Sequence, residues 1–271
     1  MGLLVNGEAG GTLDPLDRGV SYGDGVFRTL PLRDGRAVCW ARHYSKLRAD
    51  CEAIALPCPP SDVLLVELAE AAAGIQEAAG KIIVTRGPGP RGYAPPAHPE
   101  ATRVVSASPL LTHPTGFRDE GVVVRRCRLR LGIQSRLAGI KHLNRLENVL
   151  ARMEWSDPAV AEGLLLDVED HVIEGIATNL FLVHESVLHT PDLSRCGVSG
   201  VPRERIIETA VRERVPVRVA SMTWQEVLRA EEVILVNSLI GAWQIRSLES
   251  RRWAYGAWTL RFRDWLDDVD D

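Results

Sequence analysis

The sequence predicts a mixed α+β protein folded in two lobes. Short β-branched or apolar runs alternate with segments whose apolar residues recur every three to four positions, so strands and helices are interspersed. The stretch Leu111-Thr112-His113-Pro114-Thr115-Gly116 reads as a linker, giving a smaller N-terminal lobe over 1–112 and a larger C-terminal lobe over 113–271. At 271 residues with 45% hydrophobic content, the chain can bury a sizeable core.

In chain order, residues 13–40 read as short strands and turns, with the turn Tyr22-Gly23-Asp24-Gly25 ahead of the apolar run Val26–Leu30. Leu47, Cys51 and Ile54 share one face of a helix from about His43 to Ala55. A second helix is expected over Ser61–Ala79, with Ser61 as its N-cap. Lys81–Thr85 is a short strand running into Arg86-Gly87-Pro88-Gly89-Pro90-Arg91-Gly92-Tyr93, a stiff loop that Pro95, Pro96 and Pro99 prolong. Val104–Ser106 and Gly121–Arg125 return as strands. Leu143, Leu146, Leu150 and Met153 mark one face of a helix ending before Asp157-Pro158. Strands follow at Leu164–Asp167, Leu180–Val183 and Val187–Thr190. Pro202–Val211 reads as a helix with proline in its first turn, Val233–Val236 as a buried strand, and Trp253–Asp267 as a closing helix.

Composition narrows the function classes. The net charge of -4 is spread without blocks, and no basic patch carries interleaved aromatics, so nucleic acid is not an expected partner. No apolar stretch reaches the roughly 18 residues of a membrane span, and the amino terminus has no secretory pattern, which points to the cytoplasm. The cysteines Cys39, Cys51, Cys58, Cys127 and Cys196 are odd in number and hold no CxxC pair, as expected of free thiols rather than a disulfide framework or zinc site.

Only Lys46, Lys81 and Lys141 are lysine, against 29 arginines. Such a bias converts any lysine that arginine can replace, and arginine cannot form an imine. The argument leaves three candidates. Lys141, in Gly139-Ile140-Lys141-His142, is expected just ahead of a helix start, where the dipole disfavours its ammonium; a solvated lysine suits the same position. Glu174, in Val172-Ile173-Glu174-Gly175, can pair with a pyridinium nitrogen or simply face water in a turn. Gly200-Val201 opens a helix and suits an anion, as would any capped start, and Ser238-Leu239 after a strand offers a hydroxyl and amides.

Together these segments resemble the branched-chain-aminotransferase-like pyridoxal-phosphate enzymes, along nearly the whole chain. The resemblance is carried by Asp17-Arg18-Gly19 with Tyr22-Gly23-Asp24-Gly25, by His43 and Leu47, and by Arg86-Gly87-x-Gly89-x-Arg91-Gly92-Tyr93. Glu174, Thr178-Asn179-Leu180-Phe181 and Gly200-Val201 belong to it as well. Its most specific part, Gly139-Ile140-Lys141-His142-Leu143-Asn144-Arg145-Leu146-Glu147, is similar to the lyase branch more than to the transaminases.

The resemblance implies fold type IV, an α+β fold of two lobes with pyridoxal 5'-phosphate between them, in a homodimer. It implies that Lys141 is the Schiff-base lysine, Glu174 the partner of the pyridine nitrogen, and Lys46, Gly200, Val201, Ser238 and Leu239 the contacts of the phosphate end. The activity implied is cleavage of 4-amino-4-deoxychorismate to 4-aminobenzoate and pyruvate, with substrate contacts at Arg91, Tyr93, Tyr22 and Thr29. A D-amino-acid or branched-chain transaminase is the alternative, although D-amino-acid transaminases carry histidine where this chain has Tyr93. An inactive scaffold of the same fold is a second alternative. Three positions depart from the family. Lys46 replaces the usual phosphate arginine, with Arg48 as the alternative in a shifted register. Pro202 removes a backbone N–H, and Arg28 precedes Thr29 where small or acidic residues are common. Weaker cofactor retention is the expectation.

Overall fold

A computed structural model describes residues 2–268, which fall into two units, each with its own sheet. The first takes in the chain up to Thr112. Its strands are β1 (Gly2–Val5), β2 (Glu8–Ala9), β3 (Gly25–Arg33), β4 (Arg36–Ala37), β5 (Glu77–Thr85) and β6 (Thr102–Pro109). They pair antiparallel in the order β2-β1-β6-β5-β3-β4. Helices α1 (Arg18–Tyr22), α2 (Trp40–Ala53) and α3 (Ser61–Ala71) complete the unit, whose core joins Leu30, Leu32 and Ile82 of the sheet to Leu47, Leu64 and Leu68 of the helices.

Two expectations fail here for local reasons. The second helix stops at Ala71 rather than Ala79: Gly74 turns the chain at φ 77°, and the residues after it alternate outside and inside as β5, with Ala78, Gly80, Ile82 and Val84 buried. The alanine-rich stretch suits either period, and pairing of nine residues with β3 and eight with β6 decides for strand. Ser61 is not the N-cap, which is Pro60; its Oγ instead accepts a hydrogen bond from Trp40 Nε1 at 2.8 Å.

The second unit is built on β7 (Val122–Leu131), β8 (Val160–Asp167), β9 (Val172–Gly175), β10 (Asn179–His184), β11 (Val187–Pro191), β12 (Val217–Ala220), β13 (Glu232–Asn237), β14 (Gly241–Leu248) and β15 (Arg251–Arg252). The sheet runs β12-β11-β10-β13-β14-β7-β8-β9, with β15 beside β14; β7 lies parallel to both its neighbours and β11 parallel to β12. Its helices are α4 (Thr115–Asp119), α5 (Leu146–Arg152), α6 (Val201–Arg212), α7 (Trp224–Arg229) and α8 (Ala257–Asp267). Apolar residues alternate to both faces of β10. Phe181 and Val183 pack with Ile206 of α6 and Phe262 of α8, while Leu180 and Leu182 pack with Val227 of α7. The closing helix begins at Ala257, and Trp253, expected to open it, lies buried ahead of it.

The segment Ile140–Asn144 belongs to the first unit, not to the C-terminal lobe that was expected to carry the lysine. It continues the sheet beside β3, beyond the short β4. His142 bridges Val26 antiparallel, Phe27 N–H donates to Lys141 O at 2.9 Å, and Leu143 N–H donates to Gly25 O at 3.0 Å. Backbone groups at that edge need partners, which outweighs the helical pattern read from Leu143 onward. Helix α5 starts only at Leu146, and the face expected to be buried is outward: Leu146 is 67% exposed and Met153 73%, while Ala151 is the buried residue. The five cysteines are free, four of them buried. No helix among the described residues is long and apolar enough to cross a membrane.

Candidate active site

In the first unit the strand register decides which side chains meet. Val26, Arg28 and Leu30 of β3 turn to the buried side, and Phe27 and Thr29 to the other. Thr29 pairs with Lys81 of β5, and Lys141 lies beside Phe27. The ammonium nitrogens of Lys141 and Lys81 approach the same Phe27 ring, 4.6 and 5.3 Å from its centroid. Lys141, Thr29 and Lys81 thus share one face. The Lys141 backbone is fixed by a buried carboxylate: its N–H donates to Asp50 Oδ2 at 3.1 Å, and the same oxygen takes the Arg28 guanidinium in an ion pair. Arg28 is therefore buried against α2. Lys46 is half-buried on the same helix, and its carbonyl lies 3.5 Å from Arg28 Nη2. The dipole argument for Lys141 does not apply, because α5 starts five residues later and the field fades within a turn.

The glycines of Tyr22-Gly23-Asp24-Gly25 are required by this arrangement. Gly23 closes α1 at φ 64°, and a Cβ there would fall 2.5 Å from Asn144 Oδ1; at Gly25 it would meet Val84 O at 2.4 Å. Asn144 donates from Nδ2 to Gly23 O at 3.1 Å, so two distant motifs interlock.

Asp24 organises the Arg86–Tyr93 loop. Its Oδ2 accepts from Arg18 Nε at 2.9 Å and Arg86 Nε at 2.8 Å. Arg18 then donates to the carbonyls of Gly92 (2.9 Å) and Tyr93 (3.0 Å), and Arg86 to those of Ala55 (2.6 Å) and Ile54 (2.8 Å). Burial would raise the Asp24 carboxyl, but the hydrogen bonds and charges of Arg86 and Arg18 outweigh it and hold it below the usual carboxylate range. Tyr22 is a loop support: its hydroxyl accepts from Gly92 N–H at 3.0 Å and its ring lies 5.5 Å from that of Tyr93. Arg91 is exposed and Tyr93 is 87% exposed, with its side chain outward on the tip of this loop.

The second unit carries Glu174 and the glycine-led start of α6. Glu174 is no turn residue; it lies within β9, only 3% exposed, and its Oε2 accepts from Val198 N–H at 2.9 Å. Val198 bridges Gly139 in parallel, with Gly139 N–H to Gly197 O at 2.9 Å and Ser199 N–H to Gly139 O at 3.0 Å. Asn179 fastens the next turn: its Nδ2 donates to Val198 O at 2.8 Å and its Oδ1 accepts from Gly200 N–H at 3.1 Å. A Cβ at Gly200 would fall 2.4 Å from that oxygen, so glycine keeps the cradle open. Gly200 is the N-cap of α6 with no side-chain cap, so the first-turn N–H of Val201 has no intrahelical acceptor, and Pro202 has no N–H to offer. At Ser238-Leu239 the outcome is divided. Asn237 Oδ1 takes the Leu239 N–H at 2.9 Å, which occupies the amide expected for phosphate and leaves Ser238 as the donor of this turn.

Three participants escaped the sequence reading. Glu162 on β8 is buried, and burial raises its carboxyl pKa although Gly163 and Ala177 N–H groups donate to it; through Ala177 and Thr178 it shapes the turn after Glu174. Asp50 was one more polar residue of an amphipathic helix. Lys81 did carry a signal, as one of three lysines, but strand register alone brings it beside Phe27.

Residues 25–248 match the amino-transferase class IV family. The chain is 37% identical to an aminodeoxychorismate lyase from Vibrio harveyi over 226 residues, 83% of each chain. Among solved structures it is similar to 4-amino-4-deoxychorismate lyase from Pseudomonas aeruginosa, with TM-score 0.93 and 43% identity over 99% of this chain and 100% of that one. The branched-chain amino acid aminotransferase of Escherichia coli shares the fold at TM-score 0.83 and 20% identity, covering 97% of this chain and 92% of that one. The mixed α+β architecture is that of the fold type IV enzymes, and the chain belongs to the amino-transferase class IV family.

Proposed function

We propose that the chain is a pyridoxal-phosphate-dependent lyase that converts 4-amino-4-deoxychorismate to 4-aminobenzoate and pyruvate. The observation that carries this reading is the hydrogen-bonded link from Glu174 to Val198 and on to Gly139, two residues before Lys141 in the chain. The Vibrio and Pseudomonas lyases, at 37% and 43% identity, favour the lyase over the transaminases.

The donor set suits pyridoxal 5'-phosphate: a primary amine at Lys141, a buried carboxylate at Glu174, and an uncapped helix start at Gly200-Val201 for the phosphate. Ser238 and Lys46 complete the phosphate contacts in this reading. When bound, the cofactor supplies an electron-poor ring that stabilises negative charge on the carbon bearing the substrate's amine. Lys141 Nζ would hold the cofactor, and its free amine would act as the base that takes the proton from that carbon. Glu174 would pair with the ring nitrogen and keep it protonated. Breaking the ring carbon–oxygen bond to the enolpyruvyl group would then leave an aromatic amine, and return of the proton from Lys141 to the departing enolpyruvate would give pyruvate. In this reading Arg91 takes a substrate carboxylate, and Tyr93, Tyr22 and Thr29 are the other substrate contacts. The exposed apolar stripe Leu146, Val149, Leu150 and Met153 on α5 supports assembly as a homodimer.

The assay measures 4-aminobenzoate from aminodeoxychorismate, then pyruvate from D-alanine with 2-oxoglutarate. The first activity is expected to dominate, and turnover of only the second would overturn the lyase. Lys141→Ala is expected to abolish both the activity and the yellow colour of the cofactor-loaded protein. A wild-type chain that stays colourless in excess cofactor would identify an inactive scaffold.

A further inference from the structure

The α7 side of the second sheet holds a cavity that the lyase chemistry does not use. In the strand register Leu182 pairs with His189 and His189 with Arg218, so one row crosses β10, β11 and the outermost strand β12. Leu182 is buried with Met222, Val227 and Ala230, which fixes this as the face beneath α7. Between the row and the helix lies a cavity of about 300 Å³, also lined by His184, Glu226 and Arg229. That size is at the lower end of the range, ~300–1,000 Å³, found for small-molecule sites.

Its charge is unbalanced. Neither Arg218 nor Arg229 has an ion-pair or hydrogen-bond partner among the described residues, whereas most arginines of this chain are tied to a carboxylate or carbonyl. The one carboxylate in the lining, Glu226, gives its Oε2 to the capping box of α7, accepting from Thr223 N–H and Oγ1, both at 2.7 Å, while its charge also faces His189 and Arg218, so the lining holds two guanidiniums against one carboxylate. His184 faces outward, with Nδ1 3.9 Å from Glu231. His189 stands directly across from Arg218, and burial together with that guanidinium holds its pKa below the usual histidine value. Arg218 therefore faces a neutral imidazole across the ladder at neutral pH, not a carboxylate that would neutralise it.

We propose that this cavity is a binding site for a small organic acid, with its carboxylate held between Arg218 and Arg229 and its apolar body resting on Leu182, Met222 and Ala230. Paired guanidiniums suit a planar carboxylate, and the apolar floor selects against a bare inorganic anion.

The experiment titrates benzoate into the cofactor-loaded full chain by calorimetry, with inorganic phosphate as a second probe. Wild type, Arg218→Ser/Arg229→Ser and Arg91→Ala are compared, and circular dichroism confirms that each variant is folded. Benzoate is expected to bind wild type and Arg91→Ala alike, and to bind the double variant at least about tenfold more weakly. Undiminished binding to the double variant, loss only in Arg91→Ala, or no binding to wild type at millimolar benzoate would overturn the proposal. Phosphate binding as tight as benzoate would refute the role of the apolar floor. None of these readouts depends on lyase activity, so the two readings fail separately.

Discussion

Replacing Asp24 with asparagine removes one charge and almost no volume, yet two guanidiniums depend on it. The side chains of Arg18 and Arg86 are 4% and 9% exposed, against 16% for Asp24. Each charge-assisted hydrogen bond contributes about 1.5–3 kcal/mol. The arginines keep their carbonyl partners and the carboxylate is partly wet, so the loss is taken as about 2–4 kcal/mol rather than the full sum. At roughly 2–4 °C per kcal/mol for a chain of this size, Asp24→Asn should melt about 5–15 °C below wild type at pH 7. The sign with pH follows from the lowered pKa of Asp24. The carboxylate's contribution is complete above its unfolded value of about 3.9 and disappears as pH falls through the folded value. Thermal denaturation at pH 7 and at successively more acidic pH tests both parts. A variant melting within about 1 °C of wild type at pH 7, or a deficit that persists unchanged below the folded pKa, would refute the reasoning.

Asp50→Asn should be more damaging, about 3–5 kcal/mol in urea denaturation, because it takes the opposite charge away from the buried Arg28 guanidinium and weakens the anchor of the Lys141 amide. Gly87→Ala places a Cβ 1.9 Å from Glu100 O at φ 76°, so loss of at least about 2 kcal/mol and a raised KM are expected, the latter by steady-state kinetics. Lys46→Arg should slow cofactor loss several-fold during dialysis, followed by absorbance, because a guanidinium holds phosphate with a directed fork. Equal loss rates would remove Lys46 from the phosphate end.

The sequence disclosed most where one principle acted alone. The short continuous apolar run Leu180–Val183 of β10 and the proline-led start of α6 were readable because neighbouring residues decided them. The end of α3 was not, since alanine and glycine over 72–80 leave the choice between helix and strand to β3 and β6. Lys141 and Glu174 were legible as residue types in motifs, but their surroundings were misread. Pairing along the β3 edge replaced a helix start at one, and burial in β9 replaced a turn at the other. Asp24, Asp50 and Glu162 act on groups far away in sequence, and a single charged residue among 25% charged residues carries no mark of that.

The route of the chain through Ile140–Asn144 has a consequence for its synthesis. The Lys141 N–H meets Asp50, 91 residues earlier, and Val26 waits for His142. A ribosome that has made residues up to Thr112 has therefore made an unfinished first unit, whose sheet still lacks the strand beside β3. That edge stays open until the segment holding Lys141 emerges, so this step comes late and closes a long loop. A fragment ending at Thr112 should accordingly aggregate through β3, and adding Ile140–Asn144 as a peptide should protect it.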